Sequence, residues 1–334
     1  MSKPIDFVVL WVDNNDPTWQ VDRAKYLTSS ETEYTSGEAR YRDWDTLKYW
    51  FRGIEKYTPW VNKVHFVTYG HLPSWLDTTH PKLNIVTHDH YIDKKYLPTF
   101  SANPIEINIH RIPNLSEQFV FFNDDMFMIN KMNKEDFFVN GLPCDEAVFG
   151  HPLAYNYADD FYHYIMNCIA LINEKFIFSN QVNRHYKKFM NEIYMDQLIT
   201  NEFYTKLKCF SGFYTIHLPQ CFLKSTFHEV WETYSDILEK TSMNKFRGVK
   251  DVTSYLMRYW QLMSGNFHPT YWRKKGWAFS VSQDVNRITD FIRNQERPMI
   301  CVNDSVDVLD FELTKSSIID AFQFILPEKS NFEI

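Results

Sequence analysis

Glycine is scarce: the 334-residue chain holds only 9. Neither a G-x-G-x-x-G turn nor a P-loop occurs, so a glycine-rich backbone cradle for phosphate is excluded. If phosphate is bound, side chains must do much of the binding. The five cysteines, Cys144, Cys168, Cys209, Cys221 and Cys301, are odd in number and far apart. Without a C-x-x-C pair they suggest neither zinc nor a disulfide framework, and read as small core residues in a reducing compartment. No run approaches the ~18 apolar residues of a membrane span. The apolar run before Asp13 is too short for a signal peptide, so the expectation is a soluble, cytoplasmic protein. A basic excess is missing as well. With a net charge of −7 and scattered Lys and Arg, the chain does not read as a nucleic-acid binder.

What the chain has in quantity is aromatic residues: 28 Phe, 20 Tyr and 10 Trp, enough for a large core. Strand-like and helix-like stretches alternate over the first 150 residues. IDFVVLWV (5–12) reads as a buried strand ending at Asp13. DTLKYWFRGIEKY (45–57) sets Leu47, Phe51 and Ile54 on one helical face with Trp50 beside them. KVHFVTYG (63–70) and KLNIVTHDH (82–90) read as strands, NPIEINIHRI (103–112) as a helix with Pro104 in its first turn, and EQFVFFNDD (117–125) as the next strand. This alternation predicts an α/β fold with a mostly parallel sheet. In such sheets ligands sit at the carboxyl ends of the strands. Asp13, Gly70, His88 to His90 and Asn123 to Asp125 should therefore share one rim. Residues 155–208 read as a helical insertion into an α/β core of 1–154 and 209–334, the whole forming a single catalytic domain. Helices follow at 228–240 and 249–265, then a strand at 296–304 and a helix at 314–326.

Four constellations stand out. WVDNND (11–16) suits either a nucleotide pocket or a simple turn, since Asn and Asp favour turns. Asn123-Asp124-Asp125 lies between two apolar runs. Two neighbouring carboxylates can hold a hard divalent cation, which can bridge a diphosphate; a strand-end turn is the equal alternative. His217 stands before a proline and Arg247 before a helix. A base and a guanidinium suit phosphoryl chemistry, although a capping His and a surface Arg would look the same. YWRKKGWAFSV (271–281) interleaves basic and aromatic residues, as a membrane interface does and as a solvated hairpin also does.

Taken in order, these pieces resemble the Stealth family of sugar-phosphate transferases, found in bacterial capsule synthesis and related to the UDP-N-acetylglucosamine phosphotransferase that tags lysosomal enzymes. The resemblance rests on four blocks: IDFVVLWVDNNDPTW (5–19); RYRDWDTLKYWFRGIEKYTPWVNKVHFVTYGHLPSWL (40–76) with LPTFSANPIEINIHRIPNLSEQFVFFNDDMF (97–127); the region of His217 through KTSMNKFRGVKDVTSYLMRYWQLMSG (240–265); and CVNDSVDVLDFE with LPEKSNFE (301–333). Asn14 stands where the family commonly has Gly.

The resemblance implies a nucleotide-sugar transferase-like core. It also implies transfer of a sugar 1-phosphate from a UDP-sugar to a hydroxyl of a growing capsular or cell-surface polysaccharide, with release of UMP. His217 and Arg247 match positions at the phosphotransferase centre, joined by Asp13. Asp124 and Asp125 would hold Mg²⁺ or Mn²⁺, and Arg40, Asp43, Arg52, Asn123 and Asp304 would orient the donor. The acceptor would be a glycan on a lipid carrier, met at the inner face of the membrane, with the 271–277 cluster as a contact. Two other functions fit the residues in part: an ordinary UDP-dependent glycosyltransferase releasing UDP, and a non-catalytic glycan-binding module.

Overall fold

The computed structural model describes residues 3–27, 37, 41–154, 160–305 and 307–334. In chain order the strands are β1 (Ile5–Leu10), β2 (Val64–Thr68), β3 (Leu83–Thr87), β4 (Gln118–Phe122), β5 (Met126–Met128), β6 (Phe138–Val139), β7 (Leu142–Asp145), β8 (Gln220–Leu223), β9 (His268–Pro269), β10 (Gly276–Ser280) and β11 (Met299–Asn303). The main sheet has the order β3-β2-β1-β4-β8. Its β3, β2, β1 and β4 run parallel, and β8 is antiparallel to β4. The fold is thus α/β with a mostly parallel sheet, as the alternation predicts. Smaller sheets, β10-β11-β5 and β6-β7-β9, extend it.

Parallel sheets are covered on both faces, so their strands read as continuous apolar runs. In β1, Phe7 and Val9 enter one core cluster while Val8 enters another on the opposite face. Inside the second face a polar network is fully closed: Asp6 accepts from Asn62 and from the Ser116 N–H, and bonds His65, which in turn bonds Asn84.

Connections run from β1 to β2 to β3 on one side and then back to β4 on the other side of β1. The strand order therefore reverses between β1 and β4, and the crevice at their carboxyl ends is the place such a sheet offers a ligand.

Several elements depart from expectation. The first strand stops at Leu10 rather than Val12, because the chain turns off the ladder where the crevice opens. The predicted helix 103–112 divides into Ala102–Ile107 and a 3₁₀ turn, Ile109–Arg111. The expected helix at 249 begins only at Tyr255. Residues 271–281 form no hairpin: β10 pairs in parallel with β11. There the Arg273 guanidinium lies 3.0 Å from Glu146 and 3.9 Å over the Tyr214 ring, and Lys275 pairs with Asp136 at 2.5 Å. Of the three basic residues only Lys274 is exposed; Arg273 and Lys275 are half-buried and engaged in internal ion pairs.

Between Asp160 and Tyr204 the described chain is helical: Asp160–Lys175, Phe178–Arg184, Tyr186–Phe189 and Gln197–Tyr204. Its base is closed where Phe149 bridges Phe213. The buried Asn201 side chain staples it, accepting from the Phe149 N–H and donating to the Ala147 and Phe189 carbonyls.

Candidate functional site

A cavity of about 810 Å³ opens over the β1/β4 crevice. Its floor comes from strand ends: Trp11 and Val12 after β1, Tyr69 after β2, His88 after β3, Asn123 to Asp125 after β4, and Asn303 with Asp304 at β11. Because β4 has already ended at Phe122, Asp124 and Asp125 sit in a turn and both line the cavity.

His217 and Arg247 line the same cavity. His217 Nε2 is 3.4 Å from Asp125 Oδ2. Burial pulls the imidazole pKa down, but the Asp125 carboxylate outweighs it and the net shift is upward. Arg247 reaches Asp160 at 3.8 Å. The loop behind it is fixed by Asp251, whose carboxylate accepts from Asn103, Asn244 and the Gly248 N–H. Asp124 is exposed to solvent through the cavity, but the protein packed around it, then Asp125 and Asp43, push its carboxyl up to about 8. Asp43 is raised too, by burial and then by its neighbour Asp45. Asp125 Oδ1 is buried without a hydrogen-bond partner, and its Oδ2 accepts from the Cys301 thiol at 3.3 Å. Asp125, His217 and Cys301 place their ligand atoms within 4.8 Å of one another, a set that can hold a metal ion.

The structure thus gathers Asp43, Asn123, Asp124, Asp125, His217, Arg247 and Asp304 around one space. Asp13 stands outside its lining. The Asp13 carboxylate accepts from the Asn15 N–H and its own N–H donates to His71 Nε2, with Asn14 in a turn that needs no left-handed backbone. Arg40 lies outside the described residues. Arg52 corrects an expectation: it faces away from the cavity, its guanidinium donating twice to Glu333 and once to the Leu326 carbonyl, because its helix is buried on that side by the chain's last segment.

Sequence reasoning missed two lining residues, Glu106 and Arg42, and gave a third, His88, no role of its own. Glu106 is half-buried, accepts from the Ser254 hydroxyl at 2.8 Å, and is raised by the surrounding protein although Ser254, Arg247 and His217 pull it down. Arg42 forks onto Asp304 at 2.5 and 2.9 Å. His88 was named only as part of the rim; burial holds it neutral, with its pKa lowered to about 4. A lone carboxylate in the apolar run NPIEINIHR was the available signal for Glu106.

Chemically, the arrangement offers clustered oxygen ligands for a hard cation, an imidazole oriented by a carboxylate, and a guanidinium facing the same space. That combination is the chemistry a group-transfer site would use, set at the crevice where a sheet of this strand order offers a ligand its place. Comparison with known proteins sharpens this. Stealth protein CR1, conserved region 1, matches residues 3–31, and Stealth protein CR2, conserved region 2, matches residues 40–144. The chain is 41% identical to a capsular polysaccharide phosphotransferase WcwK of Streptococcus pneumoniae, covering 98% of both chains. It is 41% identical to the receptor polysaccharide phosphotransferase WefC of Streptococcus gordonii over the full length of both. It is 37% identical to the exopolysaccharide phosphotransferase cps2G of Lactiplantibacillus plantarum, covering 98% of this chain and 96% of that one. The protein belongs to the Stealth family. Among solved structures, the apo WbbM bifunctional glycosyltransferase aligns with a TM-score of 0.39 at 9% identity, covering 96% of this chain and 50% of that one.

Proposed function

We propose that this protein transfers a sugar 1-phosphate from a UDP-sugar to a hydroxyl of a growing surface polysaccharide. The acceptor oxygen forms a new bond to the β-phosphorus, the bond from that phosphorus to the bridging oxygen breaks, and UMP leaves. The carbon–oxygen bond at the sugar's C1 is untouched, so its configuration is kept. The observation that carries the reading is the convergence of His217, Arg247 and the Asp124–Asp125 turn on one cavity, from positions far apart in the chain.

His217, oriented by Asp125, accepts the hydroxyl proton. Arg247 grips the transferring phosphate's oxygens, where positioning and charge stabilisation do most of the catalytic work. Glu106 lines the same space, where its charge favours Arg247 and the imidazolium that His217 becomes on taking the proton. Asp43 and Asn123 orient the donor, Asp304 does so through Arg42, and Asp13 supports the rim through its bond to His71.

The donor set fits a divalent cation. Three carboxylates crowd one region with no cation among the described residues to balance Asp124, and Asp125 Oδ1 is an orphaned buried oxygen. Asp124 and Asp125 would hold Mg²⁺ or Mn²⁺, which when bound neutralises diphosphate charge.

The acceptor we infer is a glycan on a lipid carrier, reached at the inner face of the membrane from the cytoplasm. The names of the relatives, capsular polysaccharide and exopolysaccharide phosphotransferases, support a polysaccharide acceptor. No described helix is long and apolar enough to cross a membrane.

The test is to incubate the protein with a panel of UDP-sugars, a glycan acceptor and Mg²⁺ or Mn²⁺, and to identify the nucleotide released. UMP is expected, and His217→Ala should cut its release by roughly 10²–10⁴-fold. Release of UDP would convert the assignment to glycosyl transfer.

A further inference from the structure

Cys301 reads from sequence as an inert core residue, and by spacing none of the cysteines suggests a metal. The fold changes its surroundings. Cys301 lies on β11, in register with Met126 of β5, and the Val302 N–H donates to the Asp125 carbonyl at 2.9 Å. This pairing holds the Asp125 turn against the strand that carries the thiol. His217 arrives from the segment leading into β8. Cys301 Sγ is 3.3 Å from Asp125 Oδ2, and His217 Nε2 is 3.4 Å from the same oxygen.

Those separations are informative. Zinc bonded tetrahedrally to nitrogen and oxygen at about 2.0 Å and to sulfur at about 2.3 Å spaces its ligand atoms roughly 3.3–3.6 Å apart. The second Asp125 oxygen is buried with no hydrogen-bond partner, an unmet acceptor that a cation on either side of the carboxylate would satisfy. His217 keeps 36% of its side-chain surface open, so an ion can arrive through the cavity and a fourth ligand can come from that side. Thiolate and imidazole together select zinc-class ions over Mg²⁺, which prefers oxygen.

We propose that Asp125, His217 and Cys301 form a three-ligand site for a thiophilic divalent cation of the zinc class, and that filling it shuts off the transfer reaction. The second half rests on the function proposed above: the ion occupies the His217 nitrogen that would accept the acceptor's proton, and competes for Asp125 with the oxygen-bound cation. Binding is balanced by one proton leaving the Cys301 thiol for solvent as the sulfur bonds the metal. The site makes the enzyme sensitive to free zinc at the point where it works.

The experiment uses full-length protein stripped of metal and titrated with Co²⁺, a spectroscopic probe for zinc sites. The expected result is a thiolate-to-cobalt charge-transfer band that saturates at one equivalent and is displaced by Zn²⁺. It should persist in Cys209→Ser, which removes the exposed thiol, and vanish in Cys301→Ser. His217→Ala, on the cavity wall, should weaken Co²⁺ binding by roughly 10-fold or more, and it supplies the check should the buried serine unfold the chain. In Cys209→Ser protein assayed with excess Mg²⁺, Zn²⁺ should lower UMP release. The inhibiting concentration should rise by roughly 10-fold or more when Cys301 is also replaced, each protein being compared with its own zinc-free rate. No band, or a band unchanged by Cys301→Ser, overturns the site. An intact band with zinc-insensitive turnover overturns the inhibition. Cobalt bound at Cys301 in a protein that never releases UMP overturns the phosphotransfer reading and leaves the site standing.

Discussion

Arg247 sits among acidic groups: Asp160 at 3.8 Å, with Glu106 and Asp251 feeling its charge. A planar guanidinium can fork onto two phosphate oxygens, and an ammonium cannot. Arg247→Ala should therefore lower UMP release at saturating donor by roughly 10²–10³-fold, and Arg247→Lys should restore only a small part of it. Both are read in the nucleotide-release assay beside a thermal melt that stays near the parent's. At this scale the sequence was most legible where residues form a pattern. Asp124 and Asp125 interrupt two apolar runs, and His217 and Arg247 lie in a recognisable block. Glu106 was opaque because a single carboxylate on a short helix gives no periodic or paired signal; only the fold supplies its neighbours. Arg42 was passed over for Arg40 because two arginines in RYRD are equivalent until one of them meets Asp304.

The helix Leu47–Tyr57 was expected to bury one face, and it buries nearly all of them: Tyr49, Trp50, Arg52 and Gly53 are enclosed along with Leu47, Phe51 and Ile54. Gly53 permits this, since a Cβ there would stand 2.4 Å from the Met128 carbonyl oxygen. The enclosure commits Arg52 to Glu333, whose side chains keep 8% and 3% of their surface exposed. Removing one member of such a pair strands the other charge. Glu333→Gln should cost about 3 kcal/mol in urea-induced unfolding, while turnover per folded molecule stays at the parent level. Strands of the main sheet were readable because burial on both faces writes unbroken apolar runs. β10 was legible only as an arm of a possible hairpin, because Gly276 to Ser280 carries neither an unbroken apolar run nor a clean alternation, and the parallel partner that defines it lies in another segment.

For the molecule as a whole, acid should be felt first through buried imidazoles. His110 is enclosed beside Arg111, His228 and Lys224, with Nδ1 unpartnered, and burial foremost lowers its pKa to about 3. The unfolded chain takes up a proton near pH 6.5 that the fold refuses, so this residue's contribution falls as pH drops from there toward 3. The slope is about 1.4 kcal/mol per pH unit, or roughly 2 kcal/mol between pH 6.5 and 5. His110→Gln should flatten the pH dependence of the unfolding free energy by that amount over the same range, measured by denaturant titration. Acid loss identical to the parent's would place the sensitivity elsewhere. One architectural fact reaches further. Of the helical stretch from Asp160 to Tyr204, only its opening turn, at Asp160 and Phe161, touches the cavity. The remainder packs its apolar face into the core cluster that holds Tyr255, Tyr259 and Leu262 yet stays clear of the cavity, so descendants of this chain can reshape its outward surface, and with it whatever it greets outside, while the chemistry beneath is handed down intact.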